Sequence, residues 1–308
     1  MKNKRIMNLI GNILMILSFA FIAERIIKFN VDFSDLYSLR LMMIVITSVI
    51  TYAILVITLA KIFETLLGKL TRSIIVKNST IKLYCKSNLY KYLPGNIFHY
   101  IGRNQIAIDN EIKHYAVIAT TLMEMILLIF TAIITSIIFA GEFAVTYLMK
   151  RHILNEVYYG LGLLLIAACL IILVNIKNST VRNYIEKMKD QLRHVGFAVT
   201  IKIIVLYMIT FIVNAVMFMM VLACVGGTLD LGLVLPIIGM YSLSWVIGFV
   251  TPGAPAGIGI REAMMSVFLF GIVQENLVVT AVLLYRAVTI FGDVLGYVIA
   301  YRWENNLD

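Results

Sequence analysis

The feature that most restricts this chain is a series of almost uncharged apolar runs, each near the roughly 20 residues that carry a helix across the hydrocarbon core of a bilayer at about 1.5 Å per residue. They lie at about 6–23, 41–60, 115–139, 157–176, 197–224 and 277–299 and predict six full spans. Hydrocarbon satisfies no backbone N–H or C=O, so a spanning segment is either a helix or part of a closed barrel. Barrel strands would read as alternations of about ten residues separated by turns, and continuous runs do not. The expected fold is therefore an all-α polytopic transmembrane helical bundle, forming a single membrane domain over residues 1–308. Composition agrees: 61% of residues are apolar and 14% charged, with mean hydropathy +0.94, which excludes a water-soluble enzyme and a disordered chain.

The net charge of +9 would suggest nucleic acid in a soluble protein, but here the basic residues sit between the spans and act on orientation. Residues 61–96 hold seven Lys or Arg and residues 177–196 hold five, against three and two in 24–40 and 140–156. The basic loops are expected on the cytoplasmic side, which places both termini inside and the protein in the plasma (inner) membrane, with no nucleic-acid partner. The stretch 69–92 also reads as a basic amphipathic helix lying on the inner leaflet. Met1 to Ala23 is read as an uncleaved first span rather than a signal peptide, because its apolar run has spanning length. Cys85, Cys169 and Cys224 have no paired spacing, so neither a disulfide framework nor a metal site is indicated.

Two hydrophobic regions, at about 88–108 and 233–272, are interrupted, and each holds a Pro-Gly pair. The first reads YKYLPGNIFHYIGR, with Pro94, Gly95, Asn96, Gly102 and Arg103; the second reads VTPGAPAGIGIR, with Pro252, Gly253, Gly257, Gly259 and Arg261. Both follow a Pro-Gly-x7-Arg pattern. Proline and glycine break helices, and backbone freed at membrane depth persists only where it is packed in protein or lines a wet cavity. Paired interruptions in two halves of a chain are the pattern of inverted-repeat transporters, whose broken helices meet at a substrate site. Two ordinary proline kinks in packed helices would give the same sequence.

Charges inside spans are the second signal, since each costs several kcal/mol, roughly, unless paired or wet. Glu124 lies within the third span. In the last span Arg286 is followed by Thr289, Asp293 and Tyr297 on one helix face. With Arg103, Arg261 and Glu262 these make three Arg and three acids able to pair around a central cavity, or else to lock helices together. The planar fork of Arg binds two phosphate oxygens at once, so Arg103 and Arg261 are expected to hold the phosphate of a lipid, with Glu124, Glu262, Arg286 and Asp293 shaping the cavity. Asn214 and Thr210 are expected to hydrogen-bond to neighbouring helices, and His99 and His114 flank the first interruption. No HExxH, GxSxG or Walker A motif is present; no catalytic residue, metal or cofactor is assigned.

At these two motifs the chain resembles the transmembrane region of the lysylphosphatidylglycerol synthase family, the flippase-like module of the multiple peptide resistance factor, which also occurs as standalone membrane proteins. The resemblance spans most of the chain. A Tyr-x-x-Pro-Gly-Asn segment leading to Gly-Arg maps onto Tyr92 or Tyr90, Pro94, Gly95, Asn96, Gly102 and Arg103. A Pro-Gly-Gly-x-Gly-x-Arg-Glu segment maps onto Pro252, Gly253, Gly257, Gly259, Arg261 and Glu262, with Ala254 and Pro255 departing from it. The resemblance implies a translocase moving an aminoacylated or glycosylated lipid between leaflets, with a separately encoded synthase or glycosyltransferase as a possible partner. The soluble aminoacyltransferase domain of the two-domain synthases has no counterpart here, so translocation is expected rather than aminoacyl transfer. Two rival expectations are a membrane-embedded transferase using Glu262 or His99, and a non-catalytic membrane subunit.

Overall fold

A computed structural model describes residues 38–71, 79–92, 98–109, 112–150, 195–227, 230–251, 257, 259–269 and 272–305. The elements among them are helical: α1 (Leu39–Thr71), α2 (Ser79–Leu89), a 3-10 turn (Tyr90–Tyr92), α3 (Phe98–Arg103), α4 (Gln105–Asp109), α5 (His114–Lys150), α6 (Phe197–Cys224), a 3-10 turn (Leu231–Leu233), α7 (Val234–Val250), α8 (Ile260–Leu269) and α9 (Glu275–Asn305). Among the described residues five helices are long and apolar enough to cross a membrane, so the chain is a polytopic helical membrane protein. Four of them coincide with expected spans. The expected spans at 6–23 and 157–176 lie outside the described residues, as do the Pro-Gly pairs themselves.

Within region 233–272, Leu231–Val250 is by itself of spanning length, and the interruption falls after it, before the short α8. Pro236 does not break this helix, because it lies in the first turn of α7, where its missing N–H would be unpaired in any case. Charge also marks span ends earlier than helix ends. Beyond Lys61, α1 continues because Phe63, Leu66, Leu67 and Leu70 remain buried, and α5 runs through the expected loop at 140–156 as far as Lys150. By contrast α6 has its expected limits. It stops at a glycine with positive φ, Gly226 at +97°, and Gly227 N–H donates back to the Leu222 carbonyl at 3.0 Å, closing the helix.

The helices pack like membrane helices. Apolar residues face outward in stripes, Ile46, Ile50 and Ile54 on α1 and Ile126, Phe130, Ile133 and Ile137 on α5, as a lipid-facing surface requires. Inside, small residues allow close approach. Gly292 and Gly296 of α9 sit against α1, where a Cβ on Gly292 would lie 2.6 Å from Tyr52 Cδ1 and one on Gly296 3.4 Å from the Ala53 carbonyl. Gly239 of α7 meets Ala140 and the Ser136 carbonyl of α5 in the same way. Hydroxyls of Thr120, Thr121, Thr131, Thr135 and Ser242 donate to carbonyls one turn back, so none is left bare in apolar surroundings.

Helix α2 packs on α1 and α9, with Thr80, Leu83, Tyr84, Cys85 and Ser87 buried. Lys82 stands 5.0 Å from the Tyr301 ring centroid, and Lys61 of α1 stands 4.6 Å from that of Trp303, so both ammonium groups rest on the rings of α9.

Gly292→Leu should drive α9 off Tyr52 and lower the thermal midpoint of the detergent-solubilised protein, at a cost of about 1–3 kcal/mol. Ile50→Ala, on the outward stripe, is the control and should leave the midpoint near wild type; equal midpoints for both variants would show that the α1–α9 contact is not tight.

Candidate functional site

A cavity of about 180 Å³ lies between α1, α2, α3, α5, α6, α7, α8 and α9. Its walls hold Arg103, Glu124, Arg261, Glu262 and Arg286, five of the six charged residues singled out in the sequence. Asp293, the sixth, is fully buried and bonded to Lys91, which does line the cavity. Thus two interruptions far apart in sequence bring their arginines to one space.

The first interruption is fastened by two carboxylates. Glu124 of α5 pairs with the Arg103 guanidinium and accepts a 2.6 Å hydrogen bond from Tyr84 Oη. Aromatic rings enclose that guanidinium, whose central carbon is 4.2 Å from the Tyr84 centroid, 5.1 Å from Phe63 and 5.5 Å from Tyr100. Gly102 lets this happen, since a Cβ there would lie 2.6 Å from Tyr90 Cδ2. Asp293 of α9 binds the other end: Asn88 Nδ2 donates to it at 2.7 Å, Lys91 Nζ stands at 2.7 Å, and Tyr92 Oη donates to its second oxygen. An acid expected to pair with Arg takes a Lys instead. Lys91 reads in sequence as one more loop cation, and only its place between Tyr90 and Tyr92, two residues before the break, distinguishes it.

The second interruption is open by comparison. Arg286 Nε is 3.8 Å from Glu262 Oε1, beyond hydrogen-bond range, and Arg286 Nε and Nη2 and Glu262 Oε2 are buried without hydrogen-bond partners. Arg261 Nε is likewise buried and unpartnered, and no ion pair joins Arg261 to an acid among the described residues. Its guanidinium lies 5.3 Å from the Trp245 ring centroid. Two glycines shape its path. A Cβ on Gly248 would overlap the Arg261 stem, and one on Gly257 would lie 2.7 Å from Arg261 Nε. Gly257 and Gly259 also have φ of +69° and +83°, which residues other than glycine rarely adopt, just before α8, whose first turn holds Arg261 and Glu262.

The lesser candidates separate. Tyr285 Oη of α9 donates to Asn214 Oδ1 at 2.8 Å, an interhelical bond, whereas Thr210 donates within its own helix to the Tyr207 carbonyl. His99 lines the cavity with Nδ1 unpartnered; His114 sits outside it, 2.8 Å from Asn104 Oδ1. Cys85 is buried and unpaired, and Cys169 lies outside the described residues. Aromatic residues that sequence reasoning did not single out, among them Tyr52, Tyr241 and Trp245, make up much of the wall. Among the described residues no three His, Cys, Asp or Glu side chains gather as a metal site would require.

Searches of family models, of curated proteins and of solved structures found no significant match to this chain. Function therefore rests on the cavity.

If the Arg103–Glu124 pair holds the first interruption in place, Glu124→Leu should cost about 3–5 kcal/mol, because it strands a buried guanidinium. Adding Arg103→Met should recover most of that loss in thermal unfolding. A double variant no more stable than Glu124→Leu alone would show that the pair is not what the segment depends on.

Proposed function

We propose that this protein is an integral membrane lipid translocase of the flippase-like kind, moving a phosphate-bearing lipid between leaflets through the cavity between its two interrupted segments. The observation that carries the reading is the set of unpartnered, buried guanidinium nitrogens of Arg261 and Arg286 on one wall of a cavity inside a membrane bundle. A buried donor without a partner costs roughly 1–3 kcal/mol, more when charged, and an anion entering the cavity relieves that cost. Guanidinium groups suit phosphate oxygens through paired, charge-assisted hydrogen bonds. The aromatic rings around them suit the part of a head group next to the phosphate, while acyl chains stay in lipid along the outward apolar stripes.

Arg103 takes a different part in this proposal from the one its sequence suggested. Its charge is matched by Glu124 and its plane is stacked among rings, so it shapes the cavity wall, and Arg286 joins Arg261 as the second phosphate ligand. The similarity of the two motifs to the lysylphosphatidylglycerol synthase transmembrane region points the same way. In this reading the protein sits in the plasma membrane with its basic loops and both termini in the cytoplasm.

Leaflet-resolved scrambling of a fluorescent phospholipid in proteoliposomes tests the proposal. Wild-type protein should equilibrate the probe, and Arg261→Ala and Arg286→Ala should each slow it by about tenfold or more, the loss expected for a hydrogen bond to a charged group. Rates equal to wild type in both variants would remove the role given to these arginines, and absence of movement of every lipid tried would overturn the translocase reading.

A further inference from the structure

The cavity has a definite charge. Among the described residues on or directly bonded to its wall, Lys91, Arg103, Arg261 and Arg286 are cations, and Glu124, Glu262 and Asp293 are carboxylates. One positive charge is left over. It is also localised: Lys91 and Arg103 are in contact with acids at one end, whereas at the other the single carboxylate, Glu262, stands 3.8 Å from Arg286 and Arg261 has no ion pair among the described residues. One carboxylate cannot satisfy the donors of two guanidinium groups, and Arg261 Nε, Arg286 Nε and Arg286 Nη2 stay unbonded.

Resting on the translocase reading above, we infer that the ligand is a lipid whose whole head group carries a single negative charge: a phosphodiester held between Arg261 and Arg286, with an uncharged polyol or sugar beyond it. The three steps of selection follow from the residues. A neutral or zwitterionic head group leaves the surplus charge uncompensated, and an aminoacylated one adds a further cation beside the two arginines. A phosphomonoester or pyrophosphate brings at least one negative charge too many, with no further cation on the described wall to meet it. Within the single-charge class, Glu262 Oε2 is a buried acceptor without a donor, which a hydroxyl of a polyol or sugar supplies. Trp245 and Phe249, stacked 4.9 Å apart, line the cavity beside Arg261.

The two tryptophans permit a direct binding experiment, since Trp245 lines the cavity and Trp303 lies at the far end of α9. In a Trp303→Phe background, fluorescence of Trp245 in delipidated, detergent-solubilised protein is titrated with short-chain phosphatidylglycerol, phosphatidylethanolamine, lysylphosphatidylglycerol and phosphatidic acid. Glycerophosphoglycerol and inorganic phosphate are the water-soluble arms. Phosphatidylglycerol should bind at least about tenfold more tightly than each of the others, which is the loss of one charged contact.

Glu262→Gln is the informative variant, because it removes no cation and raises the cavity charge by one. It should shift preference toward phosphatidic acid, whose monoester carries about −1.5 to −2 at neutral pH. Phosphatidylethanolamine or lysylphosphatidylglycerol binding as tightly as phosphatidylglycerol, or Glu262→Gln leaving the order unchanged, would overturn the charge assignment. The soluble arms binding as well as the lipid would overturn the lipid source in favour of a free anion. These outcomes are separate from the scrambling result: a protein that scrambles zwitterionic lipid in an arginine-dependent way remains a translocase and loses only the selectivity inferred here.

Discussion

Everything in the cavity depends on the cost of keeping carboxylates away from water. A charge within a membrane bundle must find partners or water, and Asp293 finds three partners on one short stretch of chain. Asn88, Lys91 and Tyr92 all belong to the end of α2 and the 3-10 turn after it, so a single buried carboxylate on α9 fixes where the chain leaves its helix. Glu124 holds the far side of the interruption through Arg103 and ties it to α2 by accepting from Tyr84. The two ends of the first interruption are thus bound to two different long helices, α9 and α5.

Glycines decide where helices touch, and aromatic residues decide where they stand apart. Gly292 and Gly296 bring α9 onto α1, and Gly239 brings α7 onto α5. With those pairs drawn together at fixed points, the rings of Tyr52, Tyr241 and Trp245 face the space left between them. Near the second interruption the same device works on one side chain. Gly248 and Gly257 make room for the Arg261 stem, so the guanidinium lies against Trp245 rather than being pushed toward lipid. Either glycine could be replaced by alanine only by moving Arg261 or the turn itself.

Much of the fold was legible in the sequence because hydrocarbon imposes one simple demand. Long apolar runs gave α1, α5, α6 and α9, with the limits of α6 correct to the residue. The ends of α1 and α5 were missed since a charge stops a membrane span but does not stop a helix: Leu66, Leu67 and Leu70 keep α1 going after Lys61. Within 233–272, Pro236 breaks nothing because it sits in a first turn, so α7 reaches spanning length before the interruption. Of the site, the charged residues were legible from their depth in apolar runs, and the structure gathers them at one cavity. Their partners were not. Nothing in a run of loop lysines singles out Lys91, and the aromatic wall is spread over helices whose relative rotation no single segment encodes.

The two ends of the cavity differ in what they have left to offer. At the first interruption each charge is met: Arg103 by Glu124 and three rings, Lys91 by Asp293. Such an end is rigid, since moving any member strands another in apolar surroundings. At the second, two guanidinium groups face one distant carboxylate, an arrangement held by the glycine-rich turn before α8 and by packing, with no hydrogen bond between Arg286 and Glu262. An anion placed there gains bonds to donors that have already been desolvated by the fold, and it also relieves the repulsion between the two arginines. Binding then tightens the end that is loosest without it. In the translocation proposed above this asymmetry has a use, because a cavity satisfied at both ends has no reason to admit a charged head group, and one unsatisfied at both would not let it leave.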